Sequence, residues 1–71
     1  MKVIDTCGLS CPQPVLMFLT AIREGGESCF EVLVDNDASR ENVSRAAANN
    51  GFGVTCEDAG QGVVKIIASR Q

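Results

Sequence analysis

The chain has two prolines, Pro12 and Pro14, one residue apart, and no other feature restricts its backbone as tightly. Proline locks its own φ at about −65°, lacks an amide hydrogen, and pushes the residue before it into extended geometry. Within a helix such a pair is tolerated only in the first turn, where amides have no intrahelical partner anyway. The expected register is Cys11 at the N-cap, Pro12 at N1 and Pro14 at N3. Behind them Val15, Leu19 and Ile22 recur at helical spacing with Phe18 alongside, and Gly25-Gly26 stops the run. A first helix is therefore expected from about Pro12 to Glu24.

The rest of the fold must be assembled around that helix within 71 residues, a length that sustains one core and hence a single domain, residues 1–71. Residues 2–6 (Lys-Val-Ile-Asp-Thr) read as a short strand turning at Gly8. Cys29 to Val34 alternates Phe30, Val32 and Val34 on one face and ends at the turn-forming Asp35-Asn36-Asp37. Asp37 or Ser39 is the expected cap of a second helix with a Val43, Ala46, Ala47 stripe, a Glu41–Arg45 pair, and an end at Asn49-Asn50-Gly51. Phe52, Val54 and Cys56 then alternate along a third strand, and Gly60-Gln61-Gly62 turns it into the more continuously apolar Val63 to Ala68. Glycine suits an edge and an apolar run suits the interior, so the fourth strand is expected between the second and third. The predicted fold class is α/β, an α+β two-layer sandwich: βαβαββ, with a mixed four-stranded sheet and two helices on one face.

Nine acidic against six basic residues give a net charge of −3, with no cationic cluster to displace counterions from a phosphate backbone, so nucleic acid is not an expected partner. The longest apolar stretch, Val15 to Leu19, is far too short to span a bilayer, and Met1-Lys2-Val3-Ile4-Asp5 lacks a signal-peptide core, which predicts no membrane partner and a cytoplasmic location. Four cysteines without an export signal are expected as thiols rather than two disulfides. There is no histidine, so a cysteine nucleophile needs another source of activation, and no metal site is expected.

A helix N-terminus is such a source, because its positive end favours thiolate over thiol at Cys11. The two prolines remove local donors and leave Gln13 and Val15 with free amides, which predicts modest activation. That suits a thiol that must both accept and release a sulfur atom, since nucleophilicity and leaving ability pull the pKa in opposite directions. Loops after parallel first and second strands emerge at one sheet edge, so Asp35, Asp37, Ser39 and Arg40 are expected near Cys11. Ser39 and Arg40 would support the thiolate and Asp35 and Asp37 oppose it, unless these residues only turn the chain and cap the helix. Cys7 reads either as a small residue leaving the sheet or, across Gly8, as a disulfide partner or weak metal clamp with Cys11. Cys56, in phase with Phe52 and Val54, is expected buried and inert, and Cys29, opposite in phase to Phe30, is expected to be structural.

Asp5-x-x-Gly8-Leu9-x-Cys11-Pro12-Gln13-Pro14 resembles the N-terminal signature of the TusA-like sulfur carriers, also called the SirA or YedF group. The resemblance extends through the Asp-rich second turn to the closing hairpin. It implies the same βαβαββ sandwich and a persulfide carried on the motif cysteine, here Cys11, without a bound cofactor. It implies protein partners too, a cysteine desulfurase as donor and a downstream sulfur acceptor. Gln13 and the stretch Glu31-Val32-Leu33-Val34-Asp35-Asn36 are closest to the YedF-like branch linked with selenium metabolism, whose members usually continue into a DsrE-like domain, whereas this chain stops at Gln71.

Two classes of function are thus expected. One is a sulfurtransferase-type carrier relaying sulfur or selenium. The other is a non-catalytic interaction or regulatory module of the same fold, alone or as the N-terminal part of a larger selenium-metabolism protein. Under either reading exposed Met17 and Thr20 on the first helix would contribute to a partner surface beside Cys11. A pure binding module has no physical need for a thiol followed by two prolines at a helix start. A dithiol redox protein using Cys7 and Cys11 would lack the usual Cys-x-x-Cys spacing.

Overall fold

Strands and helices alternate as the patterning predicts: β1 (Lys2–Asp5), α1 (Gln13–Glu24), β2 (Cys29–Val34), α2 (Asp37–Asn49), β3 (Phe52–Gly60) and β4 (Val63–Arg70). The structure is a computed structural model and describes residues 2–10 and 12–70. The sheet order is β1-β2-β4-β3, with β1 parallel to β2 and the other pairs antiparallel. The apolar β4 is interior and glycine-containing β3 is an edge, as expected.

Register decides which side chains meet. Ile4, Val32 and Ile66 form one row across the sheet, and Phe30, Ala68 and Val54 form the next. Both rows face the helices, and Phe30, Val32, Val34, Ile66 and Ala68 are fully buried. The three phenylalanines of the chain tie the layers together: Phe18 of α1 lies edge-on to Phe30 of β2 and to Phe52 of β3, with ring centroids 5.8 and 5.9 Å apart. Such edge-to-face pairs add to the area they remove from water.

The buried stripe of α1 is Pro14, Phe18 and Ala21, one residue out of phase with the expected Val15, Leu19 and Ile22. Both triplets obey helical spacing. The bulkiest ring takes the centre and Ala21 permits close approach to the sheet, while Val15 and Ile22 pack at the margin. The Val43–Ala47 stripe of α2 is buried as expected, with Ala46 partly buried beside it.

Both helix caps differ from expectation, although α2 itself starts at Asp37 as the sequence allows. In α1 the N-cap is Pro12, not Cys11: the Pro12 carbonyl accepts the first helical bond from Leu16 N–H at 3.0 Å, and Pro14 falls within the first two helical positions rather than at N3. A turn closed by Gln13 N–H on the Ser10 carbonyl (3.0 Å) brings the chain in one residue later. Cys11 itself lies outside the described residues. In α2 the cap is Asn36, not Asp37 or Ser39. Asn36 is extended (φ −153°, ψ 159°), and its Oδ1 accepts the Ser39 N–H at 2.8 Å, an arrangement that contributes about 1 kcal/mol. Among the described residues, the ion pair on α2 is Arg40 with Asp37 (3.9 Å), not Glu41 with Arg45.

Cys56 is the clearest departure. It sits on the helix-facing side, in register with Ile66, yet it is exposed. Alternation identifies a face, but burial requires something over that face, and every residue of β3 beyond Val54 is exposed. Its described contact is Ser44 Oγ, 3.9 Å from its Sγ. Cys29 is half-buried on the opposite face, with its Sγ 3.4 Å from Ser69 Oγ. Native-state alkylation is therefore expected to label Cys56 faster than Cys29, read by peptide mass mapping. Labelling of Cys56 only after unfolding would show that the edge strand is covered.

Candidate functional site

The first two βα loops meet at one edge because β1 and β2 are parallel. Beyond Asp5, Thr6 extends the pairing: its N–H and its Oγ1 both donate to the Leu33 carbonyl, at 3.0 and 2.6 Å, and its side chain is buried. The chain then folds back through a turn closed by Leu9 N–H on the Thr6 carbonyl (3.1 Å). Gly8 adopts φ +84°, a left-handed conformation costly for a residue with a Cβ. Space is not the reason for glycine, since a Cβ there would meet nothing within 4 Å.

Two carboxylates organise this loop. Asp5 Oδ1 accepts the Cys7 N–H at 3.0 Å, and Asp35 Oδ2, from the end of β2, accepts the Gly8 N–H at 2.7 Å. Asp35 Oδ1 also accepts from Asn36 Nδ2 at 3.1 Å. Through Asp35 and Asn36 the loop leading to Cys11 is tied to the cap of α2, so the two helix starts share one support.

Of the residues expected around Cys11, the structure joins Gly8 to Asp35 and sets Pro12, Gln13 and Pro14 in sequence at the start of α1. Gln13 does not keep a free amide, because Ser10 takes it. Asp37 and Arg40 pair with each other, and no hydrogen bond or ion pair among the described residues links them to Gly8, Pro12 or Gln13. They border instead a shallow depression shared with Cys56, Asp58 and Val64. Ser39 is buried with its N–H on the cap. Asp35 thus acts as a clamp on backbone, not only as a charge opposing a thiolate.

Beside Pro12 runs a groove of about 280 Å³ between the helices, lined by Val15 and Ala46 with Asn42, Arg45 and Asn49 at its rim. Sequence reading missed it; its signal is that Val15 and Ala46 lie at the edge of their stripes rather than at the centre. Leu16 and Met17 are exposed on α1, and Val3 is exposed on the neighbouring edge strand. Among the described residues no group of three or more His, Cys, Asp or Glu side chains is placed to hold a metal ion. No helix among them is long and apolar enough to cross a membrane.

A family model described as Sulfurtransferase TusA matches residues 2–70. A protein of Methanocaldococcus jannaschii that bears the name of a putative sulfur carrier is 34% identical over 71 residues, covering 99% of this chain and 95% of that protein. The crystal structure of a SirA-like protein from Desulfitobacterium hafniense superposes with a TM-score of 0.89 at 35% identity, covering 97% of this chain and 96% of the other.

Proposed function

The chain belongs to the TusA sulfurtransferase family, a family of sulfur carriers, and from that premise we propose that it carries sulfur as a persulfide on Cys11 and relays it between protein partners. The observation that supports this reading is the clamped approach to Cys11: a left-handed Gly8 held on Asp35 at 2.7 Å, followed by a helix that Pro12 opens. A carrier must present one thiol in reproducible geometry to two different proteins, and a loop fixed to the sheet edge provides it.

The loading step is an exchange. The Cys11 thiolate attacks the outer sulfur of a persulfide on the donor, a cysteine desulfurase. A sulfur–sulfur bond forms at Cys11, the donor's own sulfur–sulfur bond breaks, and the donor cysteine leaves as thiolate. Delivery repeats the exchange with the acceptor as nucleophile. The cargo is covalent, so no bound cofactor takes part, and the chemistry needs the reduced thiols of the cytoplasm. Exposed Leu16, Met17 and Thr20 on α1 supply a contact surface for these partners. The same thiol would hold selenium in the setting that the YedF-like Gln13 suggests.

Incubation with a cysteine desulfurase and cysteine should increase the intact mass by one sulfur atom, and dithiothreitol should remove it. Selenocysteine in place of cysteine, from which the desulfurase forms a selenopersulfide on its own cysteine, tests the selenium reading by the mass of one selenium atom, passed on by the same exchange. A chain that gains neither mass is not a carrier of either element.

A further inference from the structure

Cys7 lies four residues before Cys11 and is exposed. If Cys11 carries a persulfide, as proposed above, this neighbour is a hazard to it. A thiolate so near along the chain competes at an effective concentration far above that of any protein partner. It would attack the inner sulfur of the Cys11 persulfide, forming a Cys7–Cys11 disulfide and expelling the outer sulfur as hydrosulfide. Cys7 is oxidised and the outer sulfur reduced, so the discharge needs no outside oxidant.

The geometry around Cys7 opposes that reaction. Asp5 Oδ1 accepts its N–H at 3.0 Å, and Asp35 Oδ2 accepts the next N–H at 2.7 Å. Carboxylates from the ends of β1 and β2 therefore flank the residue, and these are the charged groups that act on it. We propose that Asp5 and Asp35 keep Cys7 as an unreactive thiol, so that sulfur on Cys11 survives until a partner takes it. Partial desolvation, a hydrogen bond to Asp5 and the negative charges of Asp5 and Asp35 all raise the Cys7 pKa. The sign is the protective one, since a raised pKa lowers the thiolate fraction at neutral pH. Asp35 then serves two ends with one carboxylate, fixing the loop and silencing the competing nucleophile.

The test uses Asp5→Asn with Asp35→Asn, substitutions that keep a hydrogen-bond acceptor in place and remove the charge. In a Cys11→Ser background, alkylation of Cys7 is followed against pH by peptide mass mapping. The double variant should react about threefold to tenfold faster at a fixed pH below the midpoint, with the whole profile moved to lower pH. With Cys11 restored and sulfur loaded, the double variant should release sulfide faster than wild type and accumulate the Cys7–Cys11 disulfide. Adding Cys7→Ser should restore the wild-type lifetime.

An unchanged alkylation profile overturns the proposal. So does a shortened lifetime that Cys7→Ser does not repair, because loop damage would then be the cause. A wild-type chain that never loads sulfur contradicts the carrier assignment instead. The alkylation profile would still decide whether the carboxylates hold Cys7 as a thiol.

Discussion

Phe30→Ala is expected to lose about 3–5 kcal/mol of stability, about half or more of what a chain of this length possesses. Phe30 is fully buried on β2, which pairs on both sides. Its ring meets Phe18 at 5.8 Å and 85° and Phe52 at 5.8 Å and 62°. Removing it empties the junction of α1, β2 and β3 at once, and the two surviving rings belong to elements whose backbones are held elsewhere and cannot collapse into the gap. A domain of this size has about 4–10 kcal/mol in total, so the variant should unfold at much lower denaturant concentration and, at the low end of that range, partly without any. Urea titration followed by circular dichroism measures it: the midpoint should fall steeply, with Phe30→Leu intermediate and Val3→Ala, at an exposed position, near wild type. A Phe30→Ala midpoint equal to that of Val3→Ala would show that the three-ring junction does not hold the layers together.

That junction was only partly legible in the sequence. Alternation puts Phe30 and Phe52 in phase with the apolar residues of their strands, and the apolar run puts β4 in the sheet interior, because both follow from local pattern. Helical spacing puts Phe18 beside the α1 stripe rather than at its centre, since a period defines an arc and not which residue in the arc meets the sheet. Cys56 shows the same limit for strands. Its phase with Phe52 gave the correct face, but the extent of helix cover over an edge strand is a tertiary property.

At the candidate site, the prolines announced a helix start and placed it within one residue. The exact cap depended on a turn from Ser10 to Gln13 that no local preference distinguishes from an immediate start. Asn36, Asp37 and Ser39 are equally good caps by composition, and only the extended backbone at Asn36 separates them. From the sequence, Asp35 is a charge near a thiol and no more. Its bond to the Gly8 amide joins residues 27 apart in sequence, and only the parallel pairing of β1 with β2 brings them together.

The cap register also sharpens the test of the carrier residue. Pro12 holds the N-cap position without a side-chain hydrogen bond, so Cys11→Ser removes no cap and should leave the urea midpoint close to that of wild type. What it removes is the sulfur atom. The decisive measurement is mass mapping of the sulfur-loaded chain after incubation with a cysteine desulfurase and cysteine, comparing wild type, Cys7→Ser and Cys11→Ser. Wild type and Cys7→Ser should carry one additional sulfur on the peptide containing Cys11, and Cys11→Ser should carry none. Loading of Cys11→Ser at the wild-type rate on Cys7, Cys29 or Cys56 would contradict the assignment of Cys11 as the carrier.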